Sequence, residues 1–167
     1  PGLAGGLIIG ALASKTLAMV YNKPFVAVNH LQGHALIPTM SNDVKFPFLL
    51  LLVSGGHTQF LAVNGVNDYK ILGSTIDDAI GEAFDKSARL LGLPYPGGLE
   101  IEALALLGDK NKYKFPMPLC NQKNSNFSFS GLKTAVKDTI IKLEINQQVK
   151  QDISASLQHT IIKVLLN

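Results

Sequence analysis

Two histidines four residues apart, His30 and His34, follow the short apolar run Phe25-Val26-Ala27-Val28. If a helix opens near His30, both imidazoles leave it on one face, one turn apart. Two histidines so spaced can chelate one divalent metal. The alternative is two unrelated histidines, one capping and one buried. Their place at the C-terminal end of a strand favours a site, since ligands collect there in α/β sheets. The zinc-peptidase pattern H-E-x-x-H needs a glutamate second, and Leu31 stands there.

A second candidate is Ser54-Gly55-Gly56-His57, at the end of the apolar run Phe48 to Val53. That run is far short of the roughly 20 apolar residues a membrane span needs. It reads as a strand buried on both faces. Gln59 to Val63 also has strand composition, so the residues between form a tight turn joining antiparallel strands. Two glycines permit positive φ and leave several backbone N–H groups open, which suits an anion such as phosphate. An ordinary hairpin turn is the alternative.

A third group is acidic. Asp78, Glu82, Asp85 and Arg89 share one face of a helix whose other face carries Ile80, Ala83, Phe84, Ser87 and Leu91. The carboxylates begin just after a strand, where a cleft would open. The alternative is a solvated surface with pairs such as Glu82 with Lys86. No G-x-S-x-G motif occurs, and Cys120 has no motif around it.

The chain that must position these groups has 167 residues, enough for a sizeable core. It is 47% hydrophobic and 16% charged, which excludes a disordered chain. A net charge of +3 is compatible with an RNA partner without establishing one. A single cysteine excludes an internal disulfide and points to a reducing compartment. No secretory signal, membrane span or lipidation motif is present. The chain opens on Pro1 and closes inside a helical pattern, and so reads as an internal piece of a longer one.

In order, the pattern predicts a loop over Pro1–Gly6 and a helix over Leu7–Tyr21, apolar almost all round and therefore buried on several sides. The glycine-rich start of that helix could receive an anion, or serve packing alone. Asn22-Lys23-Pro24 ends it. A strand over Phe25–Val28 and a loop over Pro38–Phe46, with Asn42-Asp43, come next. Tyr69–Leu72 completes a three-strand meander. Ser74, Thr75 and Asp77 offer caps for the acidic helix. A rigid loop, Leu93–Gly98, precedes a short helix over Glu100–Leu107. Residues 109–126 are polar, with lysines among Tyr113, Phe115 and Phe127 that suit RNA or a plain surface loop. A strand over Phe127–Ser130, a helix from Gly131, and an amphipathic helix on Val149, Ile153, Leu157, Ile161 and Leu165 finish the chain.

Taken together, PGLAGGLIIGALASKTLA, VNHLQGH, LLVSGGHTQF, STIDDAIGEAFDKSARLLGLPYPGG and FSFSGLKTAV resemble the TsaD family. This is the Gcp, or O-sialoglycoprotein endopeptidase-like, glycoprotease family of tRNA N6-adenosine threonylcarbamoyltransferases. The resemblance runs from Pro1 to about Lys137. It implies an incomplete α/β actin-like ATPase fold of the Hsp70, sugar kinase and ribonuclease H-like class. Residues 1–38 would end a first lobe, and residues 46–167 would begin a second. The implied reaction moves threonylcarbamoyl from threonylcarbamoyl-AMP to N6 of adenosine at position 37 of tRNA. By resemblance His30 and His34 ligate the metal. Leu52, Val53, Ser54, Gly55 and Gly56 would hold the phosphate or carbamoyl region, and Asp85 and Gly98 the nucleoside part. The implied cofactors are a divalent metal, with Fe²⁺ placed ahead of Zn²⁺ although imidazole suits both, and ATP or threonylcarbamoyl-AMP as nucleotide ligand. Implied partners are tRNA and TsaB-like and TsaE-like proteins. The implied setting is cytoplasmic, without a membrane.

The sequence departs from the family pattern in places. A glycine-rich nucleotide loop, a ligand-contacting Asn, the Asp that completes the metal site and the first lobe's opening strands are not in it. Leu99 stands where Pro commonly follows the glycine pair. The chain alone is therefore expected to be inactive. Two other readings stay open: a non-catalytic binding or scaffold remnant, and the metallopeptidase once ascribed to the family, which lacks its glutamate in HLQGH.

Overall fold

The computed structural model describes residues 4–41 and 43–167. The architecture is α/β, and the chain forms two compact units, Pro1–Lys45 and Phe46–Asn167.

The first unit holds two helices, α1 (Ala4–Val20) and α2 (His30–Ser41). Of the loop expected over Pro1–Gly6, Pro1 to Leu3 lie outside the described residues, and Gly5 and Gly6 are already helical. Asn22 adopts φ 49° and closes α1, with the Lys23 N–H donating to the Ala18 carbonyl at 2.8 Å. The expected burial of α1 is not found. None of its residues is buried, and Ile9 is 71% exposed. Apolarity states what gains from burial but not what covers it. Phe25–Val28 is not a strand either. A strand needs a hydrogen-bonded neighbour, and the one sheet among the described residues is β1-β2-β3 of the other unit. Asn29 caps α2, its Oδ1 accepting the Leu31 and Gln32 N–H groups at 2.9 and 3.3 Å. The helix runs through Pro38, where a loop is expected. The proline forfeits one bond, to the His34 carbonyl, and the Thr39 hydroxyl binds back to the Leu36 carbonyl at 2.7 Å. Asn42 lies outside the described residues.

The second unit opens with β1 (Phe48–Val53), β2 (Thr58–Gly65) and β3 (Asp68–Ser74), an antiparallel meander in that order. Val53 pairs with Thr58 across the Ser54–His57 turn. β1 is not buried on both faces: Leu52 is buried, but Leu49, Leu51 and Val53 are exposed. It is an edge strand with one face uncovered.

Four helices follow: α3 (Ile80–Leu90), α4 (Gly97–Ala105), α5 (Ser130–Ile141) and α6 (Gln147–Leu166). α4 packs on α3 and α6, and α3 on α5. Ile101, Phe129, Leu132, Val136, Ile153 and Leu157 are fully buried in the core they enclose. Asn146 caps α6 by accepting the Val149 N–H at 2.9 Å. α4 starts at Gly97, three residues before the expected Glu100.

The expected caps of α3 are used elsewhere. Ala79 holds the N-cap position without a side-chain bond. Asp77 instead reaches the start of α5, across 51 to 53 residues of chain. Its carboxylate accepts the Ser128 hydroxyl (2.6 Å), the Phe129 N–H (2.8 Å), and the Ser130 N–H (3.2 Å) and hydroxyl (2.7 Å). This also explains why Phe127–Ser130 is not a strand. Phe127 makes one isolated bridge to Thr75, and the next donors turn to Asp77. Burial pushes the Asp77 carboxyl up, but the bonds from Ser128, Phe129 and Ser130 outweigh it and leave it below its ordinary value of 3.8.

A carboxyl lowered by folding stabilises the fold above its ordinary value, and that contribution is lost as pH falls through the folded value. Asp77→Ala is therefore expected to cost about 1–3 kcal/mol at neutral pH. The gap to wild type should narrow as pH drops below 3.8. Thermal melts between neutral and acid pH check this, and a pH-independent gap would contradict it.

Candidate functional site

His30 and His34 do come together. As the first residue of α2 and the one a turn later, they set Nε2 against Nε2 at 2.9 Å, with ring centroids 4.6 Å apart. Both rings are exposed. Paired imidazole nitrogens on one helix face suit two corners of a metal site. Among the described residues, no group of three or more His, Cys, Asp or Glu is placed to hold an ion.

In the other unit, the Ser54–His57 turn is less open than expected. The Ser54 N–H donates to the His57 carbonyl at 2.8 Å and closes the turn. The Ser54 hydroxyl accepts the His57 N–H at 3.0 Å and the Gly56 N–H at 3.3 Å. Neither Gly55 nor Gly56 has positive φ. The glycines matter through space, because a Cβ on either would meet nothing within 4 Å. They leave a bare backbone surface, with the Gly55 N–H as its remaining donor.

The other side of that turn is built by a residue that the sequence reading passed over. A Cβ on Gly81, in the first turn of α3, would fall 2.8 Å from the Ser54 carbonyl oxygen and 2.9 Å from Gly55 Cα. Glycine there lets the helix start press against the turn. Thr58, fully buried, fixes the approach: its hydroxyl accepts the Ile80 N–H at 2.9 Å, and its carbonyl accepts the Thr75 N–H at 2.9 Å. With the Ile80 N–H taken by Thr58 and the Ala83 N–H by the Ala79 carbonyl (2.9 Å), the first turn of α3 leaves the N–H groups of Gly81 and Glu82 without an intrahelical partner. With Gly55 they form a cluster of donors at the positive end of a helix dipole, which is chemistry for a phosphate. Leu52, buried just before the turn, anchors the strand end, while Val53 is exposed. A glycine inside an otherwise regular amphipathic helix is the signal that could have drawn attention to Gly81.

The acidic face of α3 divides into two. Asp78 and Glu82 both bind the Lys86 ammonium, at 2.7 and 2.8 Å, and raise its pKa. This is the solvated pairing weighed above, extended to Asp78. Asp85 faces α4, where its Oδ1 accepts the Gly97 N–H at 2.8 Å and caps that helix. Gly97 is buried, and a Cβ there would lie 2.5 Å from the Ala88 Cβ and 2.9 Å from the Asp85 Cα. Gly98 is open, with nothing within 4 Å of an added Cβ. Asp85 thus places the backbone of Gly97 and Gly98.

Gly55→Val should leave the melting temperature close to wild type, while Gly81→Val should cost about 1–3 kcal/mol by overpacking the turn. Equal melting of the two variants would contradict the packing described. Asp85→Ala should lose about 1–2 kcal/mol through the uncapped α4. Asp85→Asn keeps an acceptor and should recover most of that loss in denaturant titration.

The family model described as TsaD, tRNA N6-adenosine threonylcarbamoyltransferase, matches residues 1–167. The chain is 58% identical over 166 residues to the tRNA N6-adenosine threonylcarbamoyltransferase of Rickettsia bellii (strain OSU 85-389), covering 99% of this chain and 49% of that protein. The proteins of the same name from Rickettsia massiliae and Rickettsia typhi are each 57% identical over 99% of this chain, and 48% and 43% of theirs. The chain spans about half the length of these curated relatives. With its whole length matched, the chain belongs to the TsaD family of tRNA N6-adenosine threonylcarbamoyltransferases.

Proposed function

We propose that this chain is part of an enzyme that transfers threonylcarbamoyl from threonylcarbamoyl-AMP to N6 of adenosine in tRNA. The observation that carries this reading is the match to the family over every residue of the chain. Because the chain spans about half of its relatives, the activity is proposed for the full-length protein. The two units are read as parts of two actin-like lobes, residues 1–38 from the first and 46–167 from the second.

In this reading the Ser54-Gly55-Gly56 turn, held by Leu52 and Val53 and backed by Gly81, receives a phosphate of ATP or of threonylcarbamoyl-AMP. Its bare backbone and the Gly81 and Glu82 N–H groups at the start of α3 support that role. Gly98, set by the Asp85–Gly97 bond, lies along the nucleoside. His30 and His34 hold a divalent metal, Fe²⁺ ahead of Zn²⁺, for which the facing Nε2 atoms are suitable donors. When bound, such a metal supplies a positive charge that draws oxygen ligands and neutralises charge on them. The attacking exocyclic amine is a weak nucleophile, so what these residues contribute is chiefly orientation of the electrophile. TsaB-like and TsaE-like proteins are the proposed partners, and the cytoplasm the proposed setting. Among the described residues no helix is long and apolar enough to cross a membrane.

Transfer of labelled threonylcarbamoyl to unmodified tRNA, with the full-length protein, tests the reading. Wild type should modify tRNA, and Gly55→Val should reduce transfer at least tenfold while remaining folded. His30→Ala combined with His34→Ala should strip bound metal, read by elemental analysis. Wild-type transfer by Gly55→Val would remove the turn from the reaction, and unchanged metal content would remove the histidines from the metal site.

A further inference from the structure

We infer that a basic groove between the 110–117 segment and the end of α6 is a docking surface for the phosphodiester backbone of RNA. The inference rests on the tRNA reading above but concerns a surface which that reading does not use. The groove encloses about 300 Å³. Lys110 and Lys114 enter it from the segment, and His159 and Lys163, one turn apart, from α6. Nearly fifty residues of sequence separate the two sources, and only the fold gathers their charges.

The gathering is rigid. The Tyr113 N–H donates to the Ser156 hydroxyl at 3.1 Å, which itself donates to the Asp109 carbonyl at 3.1 Å. The Asp109 N–H donates to Asp152 Oδ1 at 2.8 Å. A Cβ on Gly108 would lie 2.1 Å from the Gln151 carbonyl oxygen, so the segment's start is pressed directly on α6. The groove's cations are therefore held by backbone anchors and not by their own side-chain packing.

No carboxylate pairs with them directly among the described residues. The carboxylates closest in sequence are turned to other donors: Asp109 to the Asn111 N–H, and Asp152 to Asp109 and Gln148. Both ion pairs among the described residues use Lys86, so Lys110, Lys114 and Lys163 have no carboxylate within ion-pair distance. The field is felt locally: burial, then the charges of Lys163 and Lys110, push the His159 imidazole below its ordinary range. Tyr113 lines the same groove beside Phe115, with ring centroids 6.4 Å apart. Burial and the Asp152 charge push its phenol up. Uncompensated lysines, a phenol donor and an aromatic face form the set that grips a phosphodiester chain and the bases beside it. An acidic protein would use the lysines but gain little from the aromatic face.

The test is fluorescence anisotropy of labelled unmodified tRNA with the full-length protein over a salt series. Lys110→Ala, Lys114→Ala and Lys163→Ala together should weaken binding about tenfold or more and lower the slope of log affinity against log salt by roughly two. The matching triple Lys→Arg variant should keep wild-type affinity and slope. A triple alanine variant that melts like wild type excludes misfolding as the cause of the loss. Lys133→Ala with Lys137→Ala on α5 should leave the slope unchanged. Wild-type affinity and slope in the triple alanine variant would overturn the groove and leave the transferase reading standing. Absence of tRNA binding by wild type would overturn both. Polyglutamate bound as tightly as tRNA, and lost in the same variant, would overturn RNA in favour of an acidic protein.

Discussion

Thr58 sits fully buried where the turn re-enters the sheet, and two bonds at this residue join three elements. Its hydroxyl holds the Ile80 N–H, and its carbonyl holds the Thr75 N–H. Together they bring the start of α3 against the strand ends, and Gly81 supplies the clearance. A helix start brought this close to a turn keeps its free N–H groups aimed at one small region. The same placement of α3 sets Asp85 under α4 and, through Gly97, fixes Gly98. An error of an ångström at Thr58 would move both ends of the candidate nucleotide surface.

Carboxylates in this unit act mainly on backbone. Asp77 caps α5 from across the chain, Asp85 caps α4, and Asp152 holds the Asp109 N–H. Each joins segments distant in sequence through a charge-assisted bond, the stronger kind. The Asp78–Lys86–Glu82 group is different. It is surface pairing on α3 and the loop just before it, and pairs of that sort contribute little.

Periodicity carried much of the fold into view. The meander of β1, β2 and β3 follows from short apolar runs broken by glycine turns, and α3 from the stripe Ile80, Ala83, Ser87. What stayed out of view was set by partners far along the chain. Ser74 to Asp77 looked like a helix cap because a sequence does not show that Asp77 has better donors at Ser128 to Ser130. Phe127 to Ser130 alternated like a strand for lack of the same information. The spacing of His30 and His34 stated their meeting correctly, since a helix turn is local geometry. The role of Gly81 is a contact with Ser54 and Gly55, and no local rule could state it.

The central claim is that Gly55 and the first turn of α3 present one donor surface to a phosphate. Amide resonances of the full-length protein, followed during titration with ATP, test it directly. Saturable shifts concentrated at Gly55, Gly81 and Glu82 are expected. Saturable shifts elsewhere with these three amides unmoved would contradict it.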